Sequence, residues 1–327
     1  MSRMKAIVCR QYGSPDVLHL EEVHKPTAAG DRVLIRVRAS SVNAGDWHLL
    51  RADPFLVRLA YGLLRPKYPV LGTDVAGVVE AIGPDVTQFK PGDEVFGDLS
   101  ACGFGGFAQY ATAPERFLAI KPGNLTFEQA AAVPSAGMTA LQALRDTGKI
   151  ASGMRVLING ASGGVGTFAV QIAKSFDTHV TAVCGSRKLA GVRALGADEV
   201  IDYTAEDFTQ SDKRYDLILA ANGNHPISAY KRCLAPGGTY VMSGGSTKQM
   251  FQALLLGPLM SLTGNKRMTS MLAKPNQVDL QCVGKLLSSG KITPLIDRQY
   301  PLSQTPDAIR YLEQGHAAGK VVINMEH

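Results

Sequence analysis

The middle of the chain carries a glycine-rich turn between an apolar run and a helix-forming segment. The apolar run is RVLIN (155–159), and TFAVQIAK (167–174) follows the turn. The turn itself consists of Gly160, Ala161, Ser162, Gly163, Gly164, Val165 and Gly166. Glycine permits a tight turn, lets backbone N–H groups approach a pyrophosphate and allows close helix–strand packing, while the helix N-terminus adds N–H donors. The pattern predicts a dinucleotide-binding turn; the alternative is a glycine-rich turn without a ligand.

The residues after the next apolar run indicate which dinucleotide this turn would bind. NAD sites usually place a carboxylate at the end of the second strand, where it accepts a hydrogen bond from the ribose 2′-hydroxyl. Between residues 167 and 197 the only acid is Asp177, which precedes the run HVTAVC (179–184). That run is followed instead by Ser186, Arg187 and Lys188. A hydroxyl and two cations suit a 2′-phosphate and favour NADPH, although the same residues are ordinary at a solvated helix start.

Composition narrows the class of protein. The 327 residues are 45% hydrophobic and 19% charged, as in a globular protein with a core. The net charge of +6 comes from dispersed basic residues, so we expect no nucleic-acid partner. The five cysteines lie far apart without a C-x-x-C pair, which favours a reduced compartment. The first ten residues contain no apolar signal core, and the longest apolar stretch, 250–264, is short and interrupted by Pro258. We expect a cytoplasmic protein.

The order of apolar runs predicts two domains, one of them discontinuous. Residues 1–124 show short β-like runs separated by Gly-Pro, Pro-Gly and Gly-Asp dipeptides, typical of a β-rich domain. In 125–274 apolar strands alternate with amphipathic helices, which predicts an α/β domain with a doubly wound parallel sheet. Residues 275–327 return to strand-like runs and are expected to complete the first domain.

Several longer motifs resemble the medium-chain dehydrogenase/reductase superfamily. GASGGVGTFAVQIAK, GADEVIDY, VLGTDVAGVVEAIG, FKPGDEVFG and the closing GKVVI occur in the family order over nearly the whole chain. Within the superfamily the chain is similar to the quinone oxidoreductases, the zeta-crystallin group, and their plastid-envelope and mitochondrial relatives. The resemblance implies a GroES-like catalytic domain plus a Rossmann domain, an active site in the cleft between them, and a homodimer formed through an edge of the Rossmann sheet.

The positions of the zinc ligands distinguish this chain from the zinc alcohol dehydrogenases of the superfamily. Asn43 stands where those enzymes carry a cysteine, and their G-H-E motif reads Gly72, Thr73, Asp74 here. Of the region that holds their structural-zinc cysteines, only Cys102 remains. Zinc needs about four converging N, S or O ligands, and an amide and a hydroxyl are poor replacements. We therefore expect no metal.

The resemblance also assigns roles to individual residues. It makes Asn43 a polar contact to substrate or nicotinamide and gives Asp46 the role of orienting the neighbouring network, although NAGD is equally a plain turn. It places Thr139 near the nicotinamide, where the alternative is a hydroxyl bonded to the preceding helical turn. It places Tyr203 beside the adenosine phosphate, where the alternative is an aromatic residue at a strand end.

Two amphipathic stretches allow more than one interpretation. In residues 51–67 four cations alternate with apolar side chains, so the stretch could be a lid over a hydrophobic acceptor with Tyr61 offering a hydroxyl, a peripheral membrane contact, or a partly buried surface helix. The apolar run 250–262 is expected to be core or subunit interface rather than a membrane anchor.

Without a metal to stabilise an alkoxide, hydride addition to a conjugated acceptor is the easier chemistry, because the negative charge spreads over the substrate. The sequence shows no Ser-Tyr-Lys or His-Asp relay. We expect NADPH-dependent reduction of quinones, with reduction of enones, 2-alkenals or enoyl thioesters as the alternative. A non-catalytic NADPH-binding structural or regulatory protein is the alternative of another class.

Overall fold

The computed structural model describes residues 2–262 and 264–325 and contains two compact units. Unit 1 comprises Met1–Ala136, Pro275–Ser288 and Pro294–His327, and unit 2 comprises Gly137–Lys274 and Ser289–Thr293. The boundary expected after residue 124 thus lies earlier than the end of unit 1. The reason is that a short helix, Phe127–Ala131, lies against strands of the unit 1 sheet.

The elements follow one another in this order. The strands are β1 Arg3–Cys9, β2 Leu18–His24, β3 Arg32–Val42, β4 Asp74–Ile82, β5 Glu94–Asp98, β6 Tyr110–Pro114, β7 Leu118–Ile120, β8 Arg155–Asn159, β9 His179–Cys184, β10 Glu199–Asp202, β11 Tyr215–Ala220, β12 Leu234–Met242, β13 Arg267–Ser270, β14 Ile296–Pro301 and β15 Lys320–Asn324. The helices are α1 Ala44–Arg51, α2 Val57–Tyr61, α3 Phe127–Ala131, α4 Pro134–Gln142, α5 Gly164–Lys174, α6 Leu189–Ala194, α7 Ile227–Cys233, α8 Thr247–Ser261, α9 Gln277–Ser288 and α10 Thr305–Glu313.

The described part of unit 1 builds a seven-stranded sheet around an aliphatic core. Its order is β14-β15-β3-β4-β5-β7, with β6 also paired to β3. The strand β15 pairs antiparallel with β3, with Val321 opposite Val42. The C-terminal segment therefore completes the first sheet. This register also brings Lys320, the first residue of β15, next to the end of β3.

The described part of unit 2 is a doubly wound parallel sheet of order β10-β9-β8-β11-β12-β13. The chain enters at β8, moves outward to β10, and returns to the other side of β8 with β11. Its central strands read as continuous apolar runs because both faces of a parallel sheet are covered. Ligands of such sheets bind beyond the carboxyl ends of the strands, at the point where the strand order reverses. Here that point lies between β8 and β11.

Two apolar stretches lie on the surface. In 51–67 the side chains of Phe55, Leu59 and Leu64 are exposed, the last by 87%. On α8, Leu255 is 64% exposed and Leu259 61%, so of the two expectations for 250–262 the exposure argues against core, and a subunit interface stays a prediction. Among the described residues, no helix is long and apolar enough to cross a membrane.

Candidate functional site

The turn between β8 and α5 has room only for glycine at two positions. Gly160 has a φ of +85°, and a Cβ there would lie 2.8 Å from the backbone nitrogen of Asn222. A Cβ on Gly166 would lie 2.1 Å from the carbonyl oxygen of Gly160. Helix α5 therefore packs directly on the turn that opens it. Gly166 is therefore the glycine that allows the close approach of helix and turn expected from the sequence.

The start of α5 offers backbone donors to an anion. Gly163 is the N-cap in an extended conformation, and its cap position makes no side-chain hydrogen bond. The N–H groups of Gly164, Val165 and Gly166 have no carbonyl partner inside the helix, as in any first helical turn. The space in front of the cap is open, since a Cβ on Gly163 would meet only the oxygen of Gly160, at 3.6 Å. We expect a pyrophosphate to fit this cradle. Ala161 adds no backbone donor to it, because its N–H is bonded to the carbonyl oxygen of Val183 at 3.0 Å, and a contact from Ser162 stays a prediction.

The end of β9 carries one cation that is not engaged by the protein. Arg187 is exposed and makes no hydrogen bond or ion pair with any residue in 2–262 or 264–325. The Ser186 hydroxyl lies 2.9 Å from the hydroxyl of Thr204. The hydroxyl of Tyr203 would lie 3.2 Å from a Cβ on Gly185, so this ring covers the same turn. Ser186, Arg187, Lys188 and Tyr203 thus surround one corner of unit 2.

A carboxylate that the sequence analysis does not include lies at the same corner. Asp202 pairs in register with Cys184, because β10 runs parallel to β9 and ends beside it. Hydrogen bonds from Ser186 and then from Thr204 lower the pKa of Asp202 below its usual value, so it is charged at neutral pH. The position of Asp202 could have been predicted from the sequence, because neighbouring parallel strands end at the same edge of a sheet.

Thr139, the remaining cofactor candidate, lies half-buried on α4.

Asn43 is held from several sides by residues of unit 1. Its amide nitrogen Nδ2 donates to Thr73 Oγ1 at 2.8 Å and to Asp74 Oδ2 at 2.9 Å, and its Oδ1 accepts from the Lys320 ammonium. We call Asn43, Thr73, Asp74 and Lys320 the polar cluster. Both amide hydrogens of Asn43 are used inside the cluster. A direct donor contact from Asn43 to a substrate would require one of these bonds to break.

A buried ion pair forms the base of the polar cluster. Lys320 is 3% exposed and Asp74 is fully buried, with Nζ 3.4 Å from Oδ2. The other oxygen of Asp74 accepts from the backbone nitrogen of Ser135 at 2.9 Å, and Oδ2 also accepts from the Ser41 hydroxyl at 2.6 Å. This density of donors satisfies an ionised carboxylate. The sequence analysis missed Lys320 as a site residue because only the β15–β3 register brings it here.

Asp46 lies next to the polar cluster and stabilises the start of α1. Its Oδ2 accepts from the backbone nitrogen of Asn43 at 2.8 Å and so caps α1. Burial raises the pKa of Asp46 to about 7, an effect increased by the charge of Asp74 and opposed by the backbone donors of Asn43 and Gly72. Its Oδ1 is buried without a hydrogen-bond partner among the described residues. Burial likewise raises the pKa of Asp98 to about 7.

Tyr61 lies in an aromatic group instead of joining the polar cluster. Its ring centroid is 5.8 Å from that of Phe104 and 6.5 Å from that of Tyr68. None of the contacts described for this ring is with Asn43 or Asp46. The proposed hydroxyl contact of Tyr61 to an acceptor therefore stays a prediction.

The polar cluster does not suit a divalent metal. The described residues contain no group of three or more His, Cys, Asp or Glu side chains that could hold one. The ammonium of Lys320 already occupies the oxygen of Asn43 and would repel a second cation. The amide and the hydroxyl at positions 43 and 73 are also poor zinc ligands.

Comparison with known proteins agrees with both halves of this description. Residues 29–123 match the family described as alcohol dehydrogenase GroES-like domain, and residues 195–323 match the family described as zinc-binding dehydrogenase. The chain is 35% identical to the chloroplast envelope quinone oxidoreductase homolog of Arabidopsis thaliana over 98% of each protein. It is 36% identical to the 2-methylene-furan-3-one reductase of Solanum lycopersicum, over 99% of this chain and 79% of that one.

A solved structure extends this similarity to the fold. The quinone oxidoreductase from Coxiella burnetii superposes with a TM-score of 0.88 at 32% identity, covering 99% of this chain and all of that one. The similarity spans the GroES-like part and the Rossmann part together. The resemblance inferred from sequence motifs is thereby confirmed. The chain belongs to the zinc-independent quinone oxidoreductase group of the medium-chain dehydrogenase/reductase superfamily, and it is an oxidoreductase that binds a nicotinamide cofactor.

Proposed function

We propose that this protein uses NADPH to reduce quinones by hydride transfer, without zinc. The observation that carries the proposal is the polar cluster of unit 1, where the buried Lys320 ammonium contacts Asn43, and Asn43 and Thr73 replace two zinc ligands of the related alcohol dehydrogenases. Such a site offers hydrogen bonds to a substrate oxygen but no Lewis acid. The similarity to proteins named as quinone oxidoreductases supports the choice of acceptor.

The preference for NADPH rests on charge at the end of β9. Arg187 is exposed and unpaired among the described residues, and Lys188 follows it on the same turn. A 2′-phosphate would receive charge-assisted hydrogen bonds from such donors. Asp202 opposes this preference with its negative charge. We expect the two cations to outweigh the single anion and therefore a preference for NADPH, not an exclusion of NADH.

The chemistry divides between cofactor and protein. The nicotinamide, when bound, supplies the hydride. The chain orients the reacting groups and offers donors to the acceptor oxygen, on which negative charge develops as the hydride arrives. In a quinone or an enone this charge is delocalised, so hydrogen bonds suffice more readily than for a plain ketone, whose alkoxide needs stronger stabilisation. We assign Thr73 to this region as a donor and Asn43 as its hydrogen-bond partner, and Asp46 supports Asn43 by capping α1.

An enone or 2-alkenal reductase is the second candidate. The similarity to a 2-methylene-furan-3-one reductase, as high as that to the quinone oxidoreductases, favours it. The two activities share the hydride donor and differ in the shape of the acceptor. Since the relatives are named oxidoreductases, a purely structural NADPH-binding role is the weakest alternative.

Steady-state kinetics with an acceptor panel tests the proposal. The panel contains a benzoquinone, a naphthoquinone, a 2-alkenal and a crotonyl thioester, each with NADPH and with NADH. We expect the highest kcat/KM for a quinone with NADPH. A higher value for the alkenal would select the second candidate, and no turnover of any acceptor would reject both.

Assembly and location remain proposals. We propose a homodimer and a cytoplasmic location, as expected from the sequence. The exposed apolar face of α8 supports the dimer, and the exposed apolar side chains of 51–67 leave a peripheral membrane contact open.

A further inference from the structure

Lys320 is a cation buried among oxygens. Its ammonium contacts Oδ1 of Asn43, lies 3.4 Å from the carbonyl oxygen of Val42, and lies 3.4 Å from Oδ2 of Asp74. A lysine is almost never fully buried unless it is paired. The pairing with Asp74 explains why the charge is tolerated, but it does not explain the contact with the amide of Asn43.

The charge pair determines which way the Asn43 amide faces. An ammonium has donors only, so the atom that faces Lys320 must be the amide oxygen. An ionised carboxylate has acceptors only, so the atom that faces Asp74 must be the amide nitrogen. The two charges therefore fix the two ends of the amide. In the flipped orientation the amide nitrogen would face the ammonium, donor against donor, and the amide oxygen would face the carboxylate, acceptor against acceptor. The nitrogen so oriented donates to Thr73 Oγ1 at 2.8 Å.

This orientation leaves the Thr73 hydroxyl with one hydrogen to donate. A threonine hydroxyl has a single hydrogen and accepts through its lone pairs. Its oxygen already accepts from Asn43, and no acceptor for its own hydrogen is found among the described residues. Thr73 is 5% exposed, and its partner Asn43 is partly exposed, so the cluster reaches the surface of unit 1 here.

We propose that Lys320 and Asp74 are positioning residues that, through the Asn43 amide, hold the Thr73 hydroxyl as a hydrogen-bond donor to the carbonyl oxygen of the acceptor. The proposal rests on the proposed function, since it needs an acceptor oxygen beside Thr73. The hydrogen bonds that link Lys320, Asn43 and Thr73 all run in one direction, from the ammonium through the amide to the hydroxyl. Such a preoriented donor stabilises the negative charge that develops on the oxygen during reduction. Without the two charges the amide can flip, and Thr73 then donates inward to the amide oxygen.

The test compares substitutions that remove different hydrogen bonds in the series from Lys320 through Asn43 to Thr73. The double change Lys320→Met with Asp74→Asn removes both charges while avoiding an unpaired buried charge. Thr73→Val removes the outward donor, and Thr73→Ser keeps it. The control is Lys121→Met with Glu94→Gln, since Lys121 is another lysine of unit 1 whose ammonium is buried and paired, 3.0 Å from Glu94.

For each variant, kcat with NADPH and the best acceptor is measured alongside the NADPH Kd by fluorescence titration and the Tm. We expect kcat to fall roughly 100- to 1000-fold in the double variant and in Thr73→Val, as for loss of one oxyanion donor. Thr73→Ser should keep most of the activity, and the NADPH Kd should change less than about twofold. Combining the double variant with Thr73→Val should lower kcat no further than Thr73→Val alone, because all three residues act through one hydroxyl.

Three results would overturn the proposal. These are a double variant with wild-type kcat, losses that multiply when the changes are combined, and a control variant that loses as much kcat as the double variant. If the double variant does not fold, Asn43→Ala decides, because it breaks the link while Lys320 and Asp74 stay paired; wild-type kcat there rejects the proposal. A wild-type protein that turns over no acceptor would reject the proposed function instead.

Discussion

At the end of β9, we expect two cations and one carboxylate to act in opposite directions on the 2′-phosphate of the proposed cofactor, NADPH. Changing Arg187 and Lys188 together to alanine should weaken NADPH binding about tenfold more than NADH binding, because charge-assisted bonds to the phosphate are lost. Isothermal titration with both reduced cofactors measures the two affinities. The change Asp202→Asn should act in the opposite direction and tighten NADPH. Equal losses for both cofactors would show that the cations do not contact the 2′-phosphate.

The buried carboxyl of Asp46 should make the stability of the protein depend on pH. Its pKa is about 7 in the folded chain and about 4 in an unfolded one, so between these values the folded state holds more protons. The contribution of Asp46 to the free energy of unfolding is therefore largest below pH 4. It falls as the pH rises to 7, by at most about 4 kcal/mol. Asp46→Asn should make the free energy of unfolding less dependent on pH in this interval.

Chemical denaturation at several pH values measures this slope. The control is the exposed carboxylate Asp85, whose change to asparagine should leave the slope as it is. Asp98 contributes in the same direction as Asp46, so part of the slope should persist. An unchanged pH dependence of the free energy of unfolding in Asp46→Asn would contradict the raised pKa of Asp46.

Single residues show where sequence reasoning stops. Asn43 is predictable as a site candidate from a motif, but only its contacts reveal that both amide hydrogens are already used. Asp202 could have been found from the rule that parallel neighbours end at the same edge of a sheet, but Lys320 becomes important only through the register of β15 on β3, which pairs residues far apart in the chain. Local patterns carry no information about such pairs.

At the level of elements, two glycines of the β8–α5 turn should have different roles, one in cofactor binding and the other in folding. Gly163→Val should abolish NADPH binding while changing Tm little, because its Cβ enters open space where the pyrophosphate is expected. Gly166→Val should instead destabilise the fold, because its Cβ would lie 2.1 Å from the oxygen of Gly160. Thermal unfolding and fluorescence titration distinguish the two variants. Retained NADPH affinity in a folded Gly163→Val would place the pyrophosphate elsewhere.

The elements of unit 2 were easier to predict than those of unit 1. A parallel sheet covered on both faces gives continuous apolar runs, and the runs RVLIN (155–159) and HVTAVC (179–184) correspond to β8 and β9. In unit 1 the strands are short, and their partners come from distant segments, as with β3 and β15. The alternation of runs predicts that strands exist but not which ones pair.

At the scale of the whole molecule, the exposed face of α8 predicts self-association. Leu254, Leu255 and Leu259 are each more than half exposed on this one helix, more apolar surface than isolated side chains would leave. Changing Leu255 and Leu259 to glutamate should convert the proposed dimer into monomers, as measured by analytical ultracentrifugation. Leu64→Glu, at another exposed leucine, is the control and should leave the mass unchanged. A monomeric wild-type protein would contradict the proposed dimer.

Composition and motif order predicted the overall class because they sample the whole chain. They left open whether the run 250–262 is core or subunit interface, since an apolar helix face looks the same in both, and only the structure shows it exposed. The discontinuous first unit was expected from the strand-like tail, and the pairing of β15 with β3 supplies its physical reason.

We propose that hydride reaches a conjugated acceptor at a site where a protein ammonium, not a metal, provides the positive charge. The most direct measurement is turnover of NADPH with the best quinone before and after dialysis against a strong chelator, together with metal analysis of the same samples. We predict substoichiometric zinc and unchanged kcat, with no gain when zinc is added back. Activity that disappears with the metal and returns with zinc would contradict the account.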